Sequence, residues 1–375
     1  MTPSSSRPPR VLIAGGGTGG HVFPALAIRQ AIAQRDPNAV VMFVGTRRGI
    51  ESKVIPQAGE TLKTIWISGF SRNHLLQNVL LPLKLMTSLF QSLRLLLSFH
   101  PDVVVGTGGY VTGPLIWTAQ RLRIPTLLQE QNSYPGWTTR ALAKRATVVC
   151  IGFADARGRI HSTRVHFTGN PLRHSFRTLS RVDAKMRWSL DPMRKTLLAL
   201  GGSLGARSIN EAISLALSRI IEKYNLIWQT GRLGIPSTAD QSVIQQALRE
   251  QHLDVRTFID DMPGAYAMAD LAVCRAGAMT LAELAAVGLP AILVPFPFAT
   301  NDHQTVNAQS VVAAGAARLI PDRSLTSDLL ISTVEEFLSS DTALQTTSAA
   351  MKSLARPDAA LDIADLTISA AKRTA

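Results

Sequence analysis

The run Gly15-Gly16-Gly17-Thr18-Gly19-Gly20-His21 holds the densest chemistry in this 375-residue sequence. It stands between an apolar segment and a helical pattern. Glycines there let the backbone close on a diphosphate, and the helix start offers its N–H groups. By itself the pattern specifies no ligand. His21, the first side chain past the loop, is either a hydrogen-bonded cap of the helix or a general base facing a cleft, and spacing leaves both open. A second loop, Gly201-Gly202-Ser203-Leu204-Gly205, has the same form and adds a hydroxyl donor at Ser203. A third, from Gly106 through Gly108, Gly109 and Tyr110 to Gly113, reads as a further anion site or as a set of tight turns.

Other polar groups stand at the ends of apolar runs. Glu130-Gln131-Asn132 closes one of them, at the carboxyl edge where ligands bind in parallel sheets. Arg173 follows Asn170-Pro171 and either reaches a phosphate or base from a hinge or lies on the surface. Thr280 and Glu283 fit an S/T-x-x-E capping box; the alternative is that Glu283 grips a ribose diol while nearby N–H groups take phosphate. Asn301-Asp302-His303-Gln304-Thr305 lies between a strand pattern and a helix pattern. The sequence contains no Asp-x-Asp, no metal-ligand spacing and no Walker-type lysine, so a bound diphosphate is expected to rely on helix ends, hydroxyls and Arg, with no metal or cofactor.

These groups need a scaffold that collects strand ends. Apolar, β-branched runs over 11–14, 40–44, 63–66, 103–105, 126–128, 148–150, 196–200, 226–228, 271–274 and 291–294 read as strands buried on both faces, with helical periods between them. This predicts an α/β chain with parallel sheets. The first and second glycine loops each mark the opening βα turn of a doubly wound unit, and they lie one Rossmann-type domain apart. Gly169-Asn170-Pro171-Leu172-Arg173 is a break suited to a linker. The predicted layout is a first domain over 1–171, a second over 172–355, and a final helix over about 356–375 that returns to the first. A cleft is expected between the domains.

Composition narrows the class. Hydrophobic residues make up 46% and charged residues 17%, which excludes a disordered chain and allows a large core. Two cysteines, Cys150 and Cys274, exclude a disulfide scaffold and a Cys-ligated zinc site and point to a reducing compartment. The ten-residue leader and the short apolar run after it suit no secretory signal. Residues 1–174 carry 20 Lys and Arg against 6 Asp and Glu, whereas residues 175–375 carry 19 against 20. A basic excess confined to one half implies an anionic partner, or else general solubility. Segment 75–99 is strongly apolar, with Met86, Leu89, Phe90 and Leu93 on one stripe. It suits either a helix covering a sheet or an interfacial face on an anionic membrane. Arg47-Arg48 after the second strand keeps an NADP-dependent oxidoreductase open as another class.

Taken in order, the motifs at 15–24 (Gly-Gly-Gly-Thr-Gly-Gly-His-Val-Phe-Pro), 106–110, 130–132, 169–173, 201–206, 258–262 (Phe-Ile-Asp-Asp-Met) and 275–283 (Arg-Ala-Gly-Ala-Met-Thr-Leu-Ala-Glu) resemble the MurG family of bacterial N-acetylglucosaminyltransferases. The resemblance implies a GT-B fold of two Rossmann-like domains facing a cleft. It implies inverting transfer of N-acetylglucosamine from UDP-N-acetylglucosamine to the C4 hydroxyl of the muramoyl sugar of undecaprenyl-diphosphate lipid I, forming lipid II. The acceptor side would lie on the first domain, the donor mainly on the second. The enzyme would sit peripherally on the cytoplasmic face of an anionic membrane, with no nucleic-acid partner. His21 matches the family's proposed base. Thr18, Gly19 and Gly20 match its first loop, Asn132 its EQN motif, Arg173 its hinge arginine and Ser203 its phosphate-contacting serine. Ile259 would bind uracil through its backbone. Ala278, Met279, Thr280, Leu281, Ala282 and Glu283 would enclose diphosphate and ribose, and Gln304 would contact the donor sugar. Gly108, Gly109, Tyr110 and Glu130 fall on the acceptor side. The sequence departs from the better-known member of the family at Gln129, where that member has His, and at Thr305, where it has a second Gln. A GT-B relative with another lipid or natural-product acceptor is the alternative.

Overall fold

A computed structural model of the chain describes residues 7–69, 75–173, 188–202 and 204–372, with backbone alone over 75–77. The chain forms two compact units. One comprises Met1–Arg173 with Arg356–Ala375, the other His174–Ala355.

The first unit is built on a seven-stranded sheet of β1 (Arg10–Ala14), β2 (Val40–Gly45), β3 (Leu62–Thr64), β4 (Val103–Gly106), β5 (Thr126–Glu130), β6 (Val148–Ile151) and β7 (Val165–Phe167). Every pairing is parallel, in the order β3-β2-β1-β4-β5-β6-β7. Among the described residues within 19–142 the α-helices are α1 (Gly19–Arg35), α2 (Glu51–Gln57), α3 (Leu81–Phe99), α4 (Thr112–Arg121) and α5 (Trp137–Leu142). Alternate residues of each central strand serve opposite faces. Val11, Ile13, Val103 and Val105 pack with Ile28 and Ile32 of α1 and Ile363 of the C-terminal helix Ala359–Lys372. Leu12, Ala14 and Val104 pack with Leu115 and Ile116 of α4 and Leu96 of α3. Burial on both faces is why these strands read as unbroken apolar runs. The strand order reverses between β1 and β4, where Ala14 pairs with Gly106. The first and third glycine loops therefore emerge side by side at the topological switch point, where doubly wound sheets bind ligands.

The second unit repeats the plan with β8 (Thr196–Leu200), β9 (Asn225–Gln229), β10 (Leu253–Arg256), β11 (Leu271–Cys274), β12 (Ala291–Leu293) and β13 (Ala317–Leu319). They run parallel in the order β10-β9-β8-β11-β12-β13. Its switch point lies between β8 and β11, which lead into Gly201 and Gly202 and into the helix Ala278–Val287.

All ten strands expected from apolar runs are present. The third, expected over 63–66, ends at Thr64. Three were missed, β7, β10 and β13, and each is an edge strand. Their partial exposure breaks the continuous apolar run that marks a central strand.

α3 overturns the expected stripe as a packing face. Ser88, Ser92, Leu96 and Phe99 are buried, while Met86 and Phe90 are each 67% exposed. Small serines let α3 lie close against α4, and Ser88 meets its own hydroxyl need by donating to the Leu85 carbonyl at 2.7 Å. The larger apolar residues are left facing outward.

Candidate active site

In the first unit the glycine loop delivers His21 to the start of α1. Gly16 O lies 3.1 Å from His21 Nδ1, and Thr18 Oγ1 lies 3.2 Å from the same nitrogen. A carbonyl can only accept, so the bond to Gly16 puts the proton on Nδ1 and leaves Nε2 as the basic nitrogen. The imidazole edge rests on Gly108, whose φ of +107° and lack of a side chain both matter. A Cβ there would stand 2.8 Å from Nε2. Thr18 is the N-cap residue of α1 but makes no side-chain cap bond. The reading of His21 as a cap residue therefore yields to that of a ring held against two loops.

Hydroxyls lock the loops together. Thr107 Oγ1 donates to His21 O at 2.8 Å, and Thr112 Oγ1 donates to Gly108 O at 2.8 Å. Beneath them, Gln131 Nε2 donates to Thr107 O at 2.7 Å and Gln129 Nε2 donates to Asn170 Oδ1 at 3.0 Å. Gln129, where the better-known member has His, is thus a buried scaffold residue. Glu130 is also buried, accepting from Asn132 N at 3.1 Å and Gly136 N at 2.9 Å, so it shapes the turn that carries Asn132. Tyr110 is exposed beside Gly17. Arg173 sets its guanidinium 5.2 Å from the ring of Phe23 on α1.

Glu51, at the start of α2, is the organising residue that sequence reasoning missed. It is fully buried and accepts from Gly17 N at 2.9 Å, Thr46 N at 2.9 Å and Thr46 Oγ1 at 2.7 Å. A carboxylate in place of solvent thus shapes the diphosphate-type loop. Its signal lay in Gly45 and Gly49, whose bare Cα atoms make room for it.

In the second unit, Gly201, Gly202, Ser208, Arg275, Phe296 and Gln304 line one cavity of about 690 Å³. Ser203 lies outside the described residues. Gln304 Oε1 accepts from Phe296 N at 3.0 Å. Arg275 donates to Ser208 Oγ at 3.1 Å, to Val294 O at 3.1 Å and to Asp322, tying the cavity floor. Ile259 and Glu283 do not line this cavity. Ile259 N donates to Gln229 Oε1 at 3.0 Å, which leaves its carbonyl as the group to offer a base.

The capping box does not form. The helix Ala278–Val287 starts from Gly277, which has no side-chain cap bond, so Thr280 sits inside the first turn. Glu283 instead accepts from Tyr266 Oη at 2.9 Å. Burial, with the nearby Glu283 charge, raises the Tyr266 phenol well above its ordinary value and keeps it a donor. Ala278 and Leu281 are buried, while Met279, Thr280, Ala282 and Glu283 are partly exposed. Thr305 Oγ1 donates to Asp302 Oδ1 at 2.6 Å, so this residue's hydroxyl is engaged by the first residue ahead of its own helix. Among the described residues no group of three or more His, Cys, Asp or Glu is placed to hold a metal ion.

Comparison with known proteins agrees with this anatomy. The glycosyltransferase family 28 N-terminal domain matches residues 11–151, and the glycosyltransferase family 28 C-terminal domain matches residues 196–363. A UDP-N-acetylglucosamine–N-acetylmuramyl-(pentapeptide) pyrophosphoryl-undecaprenol N-acetylglucosamine transferase of Lactiplantibacillus plantarum is 40% identical over 352 residues, 94% of this chain and 96% of the relative. A Bacillus cereus enzyme of the same name is 39% identical with the same coverage. The crystal structure of Acinetobacter baumannii MurG superposes with a TM-score of 0.76 at 30% identity, covering 96% of this chain and all of that one. The two parallel-sheet α/β domains are those of the GT-B fold, and the oxidoreductase alternative is set aside. With both family domains matched in order along nearly its whole length, the chain belongs to glycosyltransferase family 28, among the MurG N-acetylglucosaminyltransferases.

Proposed function

We propose that this enzyme transfers N-acetylglucosamine from UDP-N-acetylglucosamine to the C4 hydroxyl of the muramoyl sugar of lipid I, releasing UDP and forming lipid II. The observation that carries the mechanism is the Nδ1 bond of His21 to Gly16 O, which leaves Nε2 as the nitrogen able to take a proton. The acceptor oxygen bonds to C1 of the donor sugar as the C1–O bond to UDP breaks. The bonding pair leaves with UDP, and the acceptor proton passes to His21 Nε2. Inversion at C1 follows from a single displacement.

The first unit is then the acceptor side, to which Thr18, Gly19, Gly20, Gly108, Gly109, Tyr110, Glu130, Asn132 and Arg173 belong together with His21. The second is the donor side. Its loop at Gly201 and Gly202, with Ser203, and the N-terminus of the helix Ala278–Val287 stabilise the diphosphate's growing charge. Glu283, oriented by Tyr266, takes the ribose diol; the Ile259 carbonyl takes the uracil imide N–H; Gln304 takes the donor sugar. The reading carries with it a peripheral position on the cytoplasmic membrane face. The outward apolar side of α3 and the basic excess of the first half support that position.

The test is UDP release from UDP-N-acetylglucosamine with and without a lipid I analogue. His21→Ala should lower kcat by about 10²- to 10⁴-fold, the usual contribution of a general base, while donor KM changes little. Undiminished turnover would remove His21 from the mechanism.

A further inference from the structure

One sequence feature is not absorbed by this reading: Arg47-Arg48, at the turn between β2 and α2. Both line a cavity of about 820 Å³ that also takes in Gly16 and Gly17 of the His21 loop, Tyr110, and Lys84 of α3. Its wall carries three cations and no carboxylate. Three other arginines of this unit pair with carboxylates: Arg7 with Asp102, Arg29 with Glu60 at 3.0 Å, Arg35 with Asp365 at 2.9 Å. Among the described residues, Arg47 and Arg48 have no such partner. The nearest acid in sequence, Glu51, is occupied by the amides of Gly17 and Thr46. Lys84 Nζ donates to the neutral Ser68 Oγ at 2.9 Å.

A partly enclosed wall of uncompensated cations is an anion site, because Coulomb attraction there is screened less than on an open surface. The cavity begins at the loop that carries the base and ends at the helix whose apolar face points outward. An acceptor spanning that distance presents anions of two kinds: the diphosphate at C1 of its sugar and the carboxyl end of its peptide. Arg supplies a planar fork suited to either.

Resting on the proposed acceptor, we infer that Arg47, Arg48 and Lys84 form an acceptor subsite that binds a phosphate or carboxylate group of that substrate and sets its affinity. Steady-state kinetics with a short-chain, water-soluble lipid I analogue, free of membrane, tests this. Arg47→Gln/Arg48→Gln should raise acceptor KM about tenfold, the scale of one lost charge-assisted hydrogen bond, and leave donor KM unchanged. Lys84→Gln should raise it less, and Arg47→Lys/Arg48→Lys should recover part of the loss. Added salt should weaken acceptor binding in the parent enzyme more than in the double variant.

An analogue lacking the peptide separates the two sources. A KM penalty that persists assigns the site to the diphosphate; one that vanishes assigns it to the peptide carboxylate. Acceptor KM unchanged with both analogues overturns the subsite while leaving the transferase reading intact. A parent enzyme that releases no UDP with either analogue sinks the transferase reading instead. Direct titration of the enzyme with the same analogues then decides the subsite: equal affinity in parent and double variant overturns it.

Discussion

Glu51 shows how much of a glycine loop can be held by a residue with no motif of its own. Its carboxylate takes three hydrogen bonds inside the fold, two of them from backbone amides. Glu51→Gln keeps the shape but turns one acceptor into a donor that faces another donor. The expected cost is about 1–3 kcal/mol, the penalty of a buried polar group left unmatched. Thermal unfolding should register it as a drop of about 2–4 °C per kcal/mol for a unit of this size, together with slower turnover as the loop loosens. Unchanged melting and turnover would show that the loop holds without it. His21 and its loop were legible because glycine spacing is local. Glu51 was not, since its partners are fixed only when β1 and β2 pair. The choice between capping box and ribose contact stayed open for the same reason. A three-residue spacing looks alike wherever a helix begins, and only the backbone shows that this one starts at Gly277. The Tyr266 bond to Glu283 spans 17 positions and no periodicity points to it.

At the level of elements, central strands announce themselves, whereas three of the four edge strands do not. β1, β4, β8 and β11 are flanked on both sides and covered on both faces, so their sequences are apolar apart from Arg10 and Thr196, which open β1 and β8. β7, β10 and β13 each spend side chains on solvent, which erases that run. α3 presents the opposite ambiguity. By length and composition alone it could cross a membrane, but such a test also passes helices buried in soluble cores. Its serines pack inward, which leaves Leu83, Met86 and Phe90 exposed as an apolar patch. Vesicle flotation should therefore recover the protein with anionic liposomes at low salt and less of it at high salt. Met86→Asp/Phe90→Asp should reduce recovery at least about tenfold, because each change removes apolar contact and adds like charge to that of the lipid. Equal recovery of both proteins would show that some other face makes the contact.

Over the whole molecule, the two cysteines lie one in each sheet, Cys150 in β6 and Cys274 in β11, both fully buried. Burial pushes the Cys274 thiol from its ordinary 9.0 up to about 12, with the Glu283 charge adding to the rise, and burial pushes Cys150 up as well. Both thiols thus hold their protons more tightly folded than unfolded. Their contribution to stability is complete below pH 9 and declines as pH climbs toward 12, where unfolded thiols ionise and folded ones do not. Iodoacetamide at pH 8 should leave the native enzyme unmodified and label both positions after denaturation; labelling of the native form would refute the burial. Composition had already indicated thiols without disulfides, and the charge imbalance had separated the two halves, but neither tells which segments complete which unit. The return of Ala359–Lys372 to the first sheet has a bearing on biogenesis. Ile363 fills the same side of that sheet as Val11 and Val103, more than 250 positions earlier in translation. On the ribosome, the domain begun first must wait for a helix made after the whole second domain to close its core, while the domain begun second can finish ahead of it.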